Sequence, residues 1–220
     1  MATALHEPVG IDAVNYGRNG GGRTIGPTEG DLRALRERPF DPAKTGIWVA
    51  FAAITMSFAA LTSALVVRQG TALDWHHTPL PGVLYFNTLV LLVSSLTLEV
   101  ARRRIAAYVR GLETQLAEPM QWLAITLFLG LLFVAGQYAA WLHLKSEGLY
   151  LATNPSSSFF YVFTGLHAVH VLGGLCGLIY IISKLKRSVL RRSTFAATAQ
   201  YWHFMGILWV YLLFLLWTKL

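Results

Sequence analysis

Charge is scarce in this sequence. Only 13% of its 220 residues are Asp, Glu, Lys or Arg, while 55% are hydrophobic. Soluble domains carry about 25% charged residues, so the composition excludes an ordinary water-soluble fold. Cysteine is nearly absent as well: Cys176 is the one example, which excludes a disulfide within the chain and any CxxC redox or zinc motif. Lying inside an apolar stretch, it reads as a buried packing residue. There is no glycine-rich phosphate loop and no nucleophile motif. The N-terminus lacks the apolar core of a cleavable signal peptide, so the first span is expected to insert as it stands.

What fills the space instead is apolar chain. Stretches without a charged residue run over Thr45–Val67, Trp75–Leu98, Pro119–Leu144, Gly148–Ser183 and Ser193–Thr218. Each exceeds the roughly 20 residues that cross about 30 Å of hydrocarbon at about 1.5 Å per residue. They predict an all-α integral membrane bundle of five transmembrane helices, with spans near 45–68, 80–101, 119–144, 157–183 and 195–218 in a membrane domain covering 45–220. Residues 1–44, with Gly20, Gly21 and Gly22 in a row, read as a flexible cytoplasmic arm; Glu29–Arg38 is a candidate surface helix stopped by Pro39. The net charge of +7 reports topology, not nucleic acid. Fifteen of the 18 Lys and Arg flank the same ends of the spans, leaving Arg68, Lys145 and Lys219 at the others. Positive-inside bias then places the N-terminus in the cytoplasm and the C-terminus outside, as five spans require.

Polar residues inside the spans are the candidates for function, because the bilayer makes them expensive. His167 and His170 lie three residues apart in the fourth span, about 60° apart around a helix axis, and so are expected to share a face. His203 sits in the fifth span at a depth comparable to His170, which makes a bis-histidine haem between the two spans conceivable. Three histidines hydrogen-bonded within the bundle satisfy the same composition. No Asp or Glu stands in the middle of a span, which argues against a proton pump housed in this chain alone. Asn87 and Ser94, and one step round Thr88 and Ser95, are each seven residues apart and predict a polar seam that bonds across helices. Gln137 is polar in the third span, where Gly136 and Ala140 form a close-packing pair; Gly173 and Gly177 form another in the fourth.

Small residues at Ala53, Ser57, Ala60 and Ala64 give the first span a face that a neighbouring backbone can approach. Glu99 precedes Arg102 by three residues, the spacing of a helical ion pair, and Arg102–Glu118 is a candidate short surface helix. Asp74, His76 and His77 in the loop before Pro79 offer a metal reading, though adjacent residues seldom converge on one ion; Trp75 there reads as an interfacial anchor. Asn154–Ser158 supplies a turn and a serine N-cap for the fourth helix.

Phe159, Phe160, Thr164, Gly165, His167, His170, Val171 and Gly174 resemble the FFxxTGxHxxHVxxG signature of subunit III of the haem-copper cytochrome c oxidases. Tyr201, Trp202, His203, Phe204 and Trp209 are similar to that family's YWHFxDxxW segment, and Asn87, Thr88, Leu91, Ser94 and Ser95 to its NTLxLLxSS stretch. Gly46 with Trp48 matches the start of a further helix. The resemblance covers all five spans and points to the five-helix bacterial form. It implies a non-catalytic core subunit of the plasma (inner) membrane beside catalytic subunit I and subunit II, which hold the haems and copper and receive electrons from cytochrome c. The chain itself is then expected to hold no redox cofactor or metal, to bind phospholipid, and to support stability and proton uptake. On this reading Asn87, Ser94, Arg102, Arg103, Gln137, His167, His170, Trp202 and His203 face lipid or other subunits. A quinol oxidase, a nitric oxide reductase complex and a haem b membrane anchor are the alternatives. Three family carboxylates are missing: Ile54, Ala140 and Gly206 stand in their places.

Overall fold

The structure, a computed structural model, describes residues 42–71, 81–109, 117–151, 153–187 and 192–219. These form five helices: α1 (Pro42–Thr71), α2 (Val83–Val109), α3 (Ala117–Ser146), α4 (Pro155–Lys186) and α5 (Arg192–Lys219). All five are long and apolar enough to cross a membrane. α2 and α3 pack most extensively, α3 continues onto α4, and α5 touches α1, α2 and α4. α1 leans on α5 and, more lightly, on α4. Of the expected arm 1–44, residues 42–44 open α1; residues 1–41, the candidate helix within them and the loop carrying Asp74, Trp75, His76 and His77 lie outside the described residues.

The helix ends differ from expectation where side chains support extra turns. α2 does not stop near residue 101 to begin a separate surface helix; it runs on through Arg102–Arg104 to Val109. Its exit from the apolar stretch is held by the Glu99 carboxylate, which accepts from Arg102 through two contacts of 2.7 Å and from Arg103 at 3.1 Å. Spacings of three and four put both guanidinium groups one turn beyond the carboxylate. At the start of α4 the capping position belongs to Asn154, not to a serine. Pro155 opens the first turn, and Ser157 Oγ accepts from the Asn154 N–H at 3.3 Å.

Two faces are turned differently from their reading in the sequence. Ala53, Ser57, Ala60 and Ala64 all lie exposed, and α1 instead buries Ile54, Phe58 and Leu65. The neighbours demand volume there: Phe58 stacks on Phe163 at 6.3 Å and meets the His170 ring at 5.9 Å. Cys176 is likewise exposed on α4, not buried. In a membrane the outward face is as apolar as the core, so apolarity alone does not say which way a residue points.

The buried side of α3 is Pro119, Leu123, Thr126, Gly130, Phe133, Gln137, Ala140 and Leu144. Alternating steps of four and three make this a coiled-coil type seam. Its glycines let neighbours come close: a Cβ on Gly130 would lie 2.7 Å from the Trp202 ring, and one on Gly136 would lie 2.1 Å from Asn87 Oδ1. On α4 the tight contact is Gly174, where a Cβ would meet Trp202 at 3.0 Å; Gly177 faces Thr198, and Gly173 is exposed.

Candidate functional site

The polar residues of α2 and α5 meet in a ladder. Trp209 Nε1 donates to Thr88 Oγ1 at 2.9 Å, Trp202 Nε1 donates to Ser94 Oγ at 2.8 Å, and His203 Nδ1 shares a short hydrogen bond with Ser95 Oγ. Thr88 meets Trp209, while Ser94 and Ser95, further along α2, meet Trp202 and His203, earlier on α5, so the helices are antiparallel and the rungs stand six or seven residues apart on each. Hydroxyls opposite indole N–H groups satisfy donors that hydrocarbon cannot. α2 is also tied to α3 through Thr97 and Thr126, whose hydroxyls lie 2.8 Å apart. Trp209→Phe removes one donor and is expected to lower stability by about 0.6–1 kcal/mol for the lost bond, beyond the misfit of the smaller ring, read as a shift in the unfolding midpoint.

His167 and His170 do not share a partner. His167 is wholly buried, its ring 5.8 Å from Phe133 of α3 and 5.0 Å from Trp209 of α5. His170 is half-buried and faces α1 through Phe58; its Nδ1–H donates to the Leu166 carbonyl of its own helix at 2.7 Å. Tyr201 OH fixes the α4 backbone beside it by donating to the His170 carbonyl at 2.9 Å. Sixty degrees around α4 is enough to cross from one neighbouring helix to another. The haem pairing of His170 with His203 finds the two rings occupied separately, one against α1 and the other on Ser95 of α2. Among the described residues no three His, Cys, Asp or Glu side chains gather as a metal site would require.

Asn87, Ser94, Gln137, His167 and Trp202 are buried among this chain's own helices. Arg102 and Arg103 are exposed, and His170 and His203 reach the surface in part. Thr88 and Trp209 were not singled out as site residues, although their seven-residue spacings to Ser95 and Trp202 carried the signal. Trp141 Nε1 donates to Thr164 Oγ1 at 3.0 Å, tying α3 to α4. Between α1 and α5 lies an open lateral groove of about 710 Å³, walled by Trp48, Phe51, Met56, His203, Phe204 and Ile207. Phe51 stacks on Phe204 at 4.4 Å along it.

The sequence profile of the family described as "Cytochrome c oxidase subunit III" matches residues 48–219. A protein of Synechocystis sp. named "Cytochrome c oxidase subunit 3" is 32% identical over 202 residues, covering 86% of this chain and 80% of that one. The "Quinol oxidase subunit 3" of Bacillus spizizenii is 30% identical over 176 residues, 76% of this chain and 82% of its own. The "Probable cytochrome c oxidase subunit 3" of Nocardia farcinica is 37% identical over 93 residues, and the chain spans about half of its length, 46%, against 41% of its own. With the family profile matched from the first helix to the end of the last, this chain belongs to the cytochrome c oxidase subunit III family.

Proposed function

We propose that the chain is the non-catalytic third subunit of a respiratory cytochrome c oxidase, lying beside subunits I and II. Those partners carry the haems and copper that pass electrons from cytochrome c to oxygen. The observation that carries this reading is the ladder of Thr88, Ser94 and Ser95 against Trp209, Trp202 and His203, which commits the polar atoms of α2 and α5 to holding helices together. On this account the chain braces the catalytic subunit.

Phospholipid is the ligand that the lateral groove suits. Its walls are aromatic and aliphatic, as an acyl chain requires, and the positive charge of Arg102–Arg104 would attract an anionic headgroup. Support for proton uptake on this reading does not run through membrane carboxylates at Ile54, Ala140 or Gly206, none of which is acidic. Ile54 and Ala140 are core residues, only 7% and 0% exposed. His170, His203, Arg102 and Arg103 are the predicted interface residues that still reach the surface, and they carry the proposed contacts with lipid or partner subunits. N-terminus inside and C-terminus outside remains the orientation proposed from the charge distribution.

Copurification of the tagged chain from its native membrane tests the reading. Haem-bearing partners that oxidise reduced cytochrome c are expected, and complexes lacking this chain should pass fewer turnovers before inactivation. Recovery without haem-bearing partners would contradict it. The Bacillus relative's name supports a second reading, a quinol oxidase, which activity with quinol and none with cytochrome c would select.

A further inference from the structure

We propose that Asn87, Gln137 and His167 enclose an internal water site in the bundle, at the level of Phe133 and Trp209. All three side chains are buried, at 0%, 1% and 0% exposure, and none of their six polar atoms has a hydrogen-bond partner. These six atoms need partners, because buried polar groups in native structures are almost always paired with protein or ordered water. They also stand together. Phe133, one turn before Gln137 on α3, touches the His167 ring; Trp141, one turn after Gln137, donates to Thr164, one turn before His167 on α4. Gln137 is therefore bracketed by contacts that put it beside His167. Asn87 presses on Gly136, the residue next to Gln137, and its neighbour Thr88 holds the Trp209 indole that packs on His167.

The chemistry of the set selects the ligand. Two amides and a neutral imidazole offer donors and acceptors in balance and no net charge, so neither an anion nor a cation finds a counter-charge there. Water both donates and accepts, and a buried water commonly makes about three hydrogen bonds, the number of side chains present. The walls, Phe133 and Trp209, offer no competing acceptor. Trp209 has already spent its N–H on Thr88. The site thus bonds α2, α3 and α4 to one another at a level where no direct side-chain bond joins the three.

A cryo-electron-microscopy map of the intact oxidase complex, fine enough to resolve ordered water, tests this. The expected result is density within about 2.7–3.2 Å of polar atoms from at least two of the three side chains. Direct bonding among the three side chains, or a dry gap, would overturn it. In the same complex, Gln137→Leu and His167→Phe should each lower the thermal midpoint. The double variant should lower it by clearly less than the sum, because the second change removes a group already stripped of its water. Fully additive shifts would overturn the shared site. A variant that does not assemble leaves the map of the unaltered complex to decide.

Discussion

Trp202→Ala is expected to destabilise the bundle by about 3 kcal/mol or more, with a matching fall in the yield of assembled complex. Removing a large aromatic from a packed core costs about 3–5 kcal/mol in soluble proteins. In lipid the transfer contribution shrinks, since a vacated site is no more apolar than the surroundings, but the lost packing remains. Trp202 is 1% exposed, lies against Gly130 of α3 and Gly174 of α4, and donates from α5 to Ser94 of α2. One side chain therefore joins four helices. Trp202→Phe separates the two contributions: it keeps much of the volume, frees Ser94, and should cost about 1 kcal/mol beyond the misfit of the smaller ring. Unfolding midpoints of the purified variants, followed by intrinsic fluorescence or circular dichroism, read both.

Gly136→Ala carries the second large effect, about 1–3 kcal/mol. The added methyl would lie 2.1 Å from Asn87 Oδ1 and 2.9 Å from its Cγ, well inside contact distance. Overpacking of a tight core costs that much because backbone or rotamers must yield. Asn87 has little room to turn, being wholly buried between α2 and α3. The clash is specific, so Asn87→Ala placed in the Gly136→Ala background should restore most of the lost stability. If the double variant is no better than the single, the close approach of α2 and α3 at this point is not what limits the fold. Gly46→Ala, where a Cβ would meet nothing within 4 Å, is the matched control and should be silent.

Much of this multi-pass protein of the bacterial inner membrane was legible in its residues. Charge-free length located the five helices because hydrocarbon tolerates no unpaired backbone, and that constraint acts on sequence directly. The seven-residue spacings foretold a seam that bonds across helices, and Thr88, Ser94 and Ser95 do so, whereas Asn87 is buried without a side-chain hydrogen bond. The seam's partners, Trp202, His203 and Trp209, were visible as residues but not as partners. What stayed hidden was rotation. Ala53, Ser57, Ala60 and Ala64 form a face any helix could approach, yet the large Phe58 is the knob that the α4 surface accepts at Phe163 and His170. Cys176 and the divergence of His167 from His170 were hidden for the same reason. A membrane helix is apolar on all sides, so periodicity does not mark its inward face. Helix ends depended on single side chains: Glu99 prolongs α2, and Asn154 with Ser157 starts α4 at Pro155, two residues before the expected span.

The three positions where the resemblance leads one to expect carboxylates differ in what they would tolerate. Ala140 is 0% exposed in the α3 seam, so a glutamate there would bring a charge into a packed core. Gly206 differs, because a Cβ there meets nothing within 4 Å. Gly206→Asp therefore meets no steric clash but still brings a carboxylate to the middle of a span, at about 2.5–3.5 kcal/mol, whereas Ala140→Glu adds a clash in the packed seam and should prevent assembly. Expression and complex yield distinguish the two.

The central claim is that this chain's histidines hold helices together while redox chemistry belongs to partner subunits. The measurement that meets it most directly is haem content per purified complex, from reduced-minus-oxidised spectra, in His170→Ala and His203→Ala variants. The account predicts haem content and band positions equal to those of the unaltered complex, alongside a shorter turnover lifetime or weaker assembly. Loss of one haem per complex in either variant would contradict it.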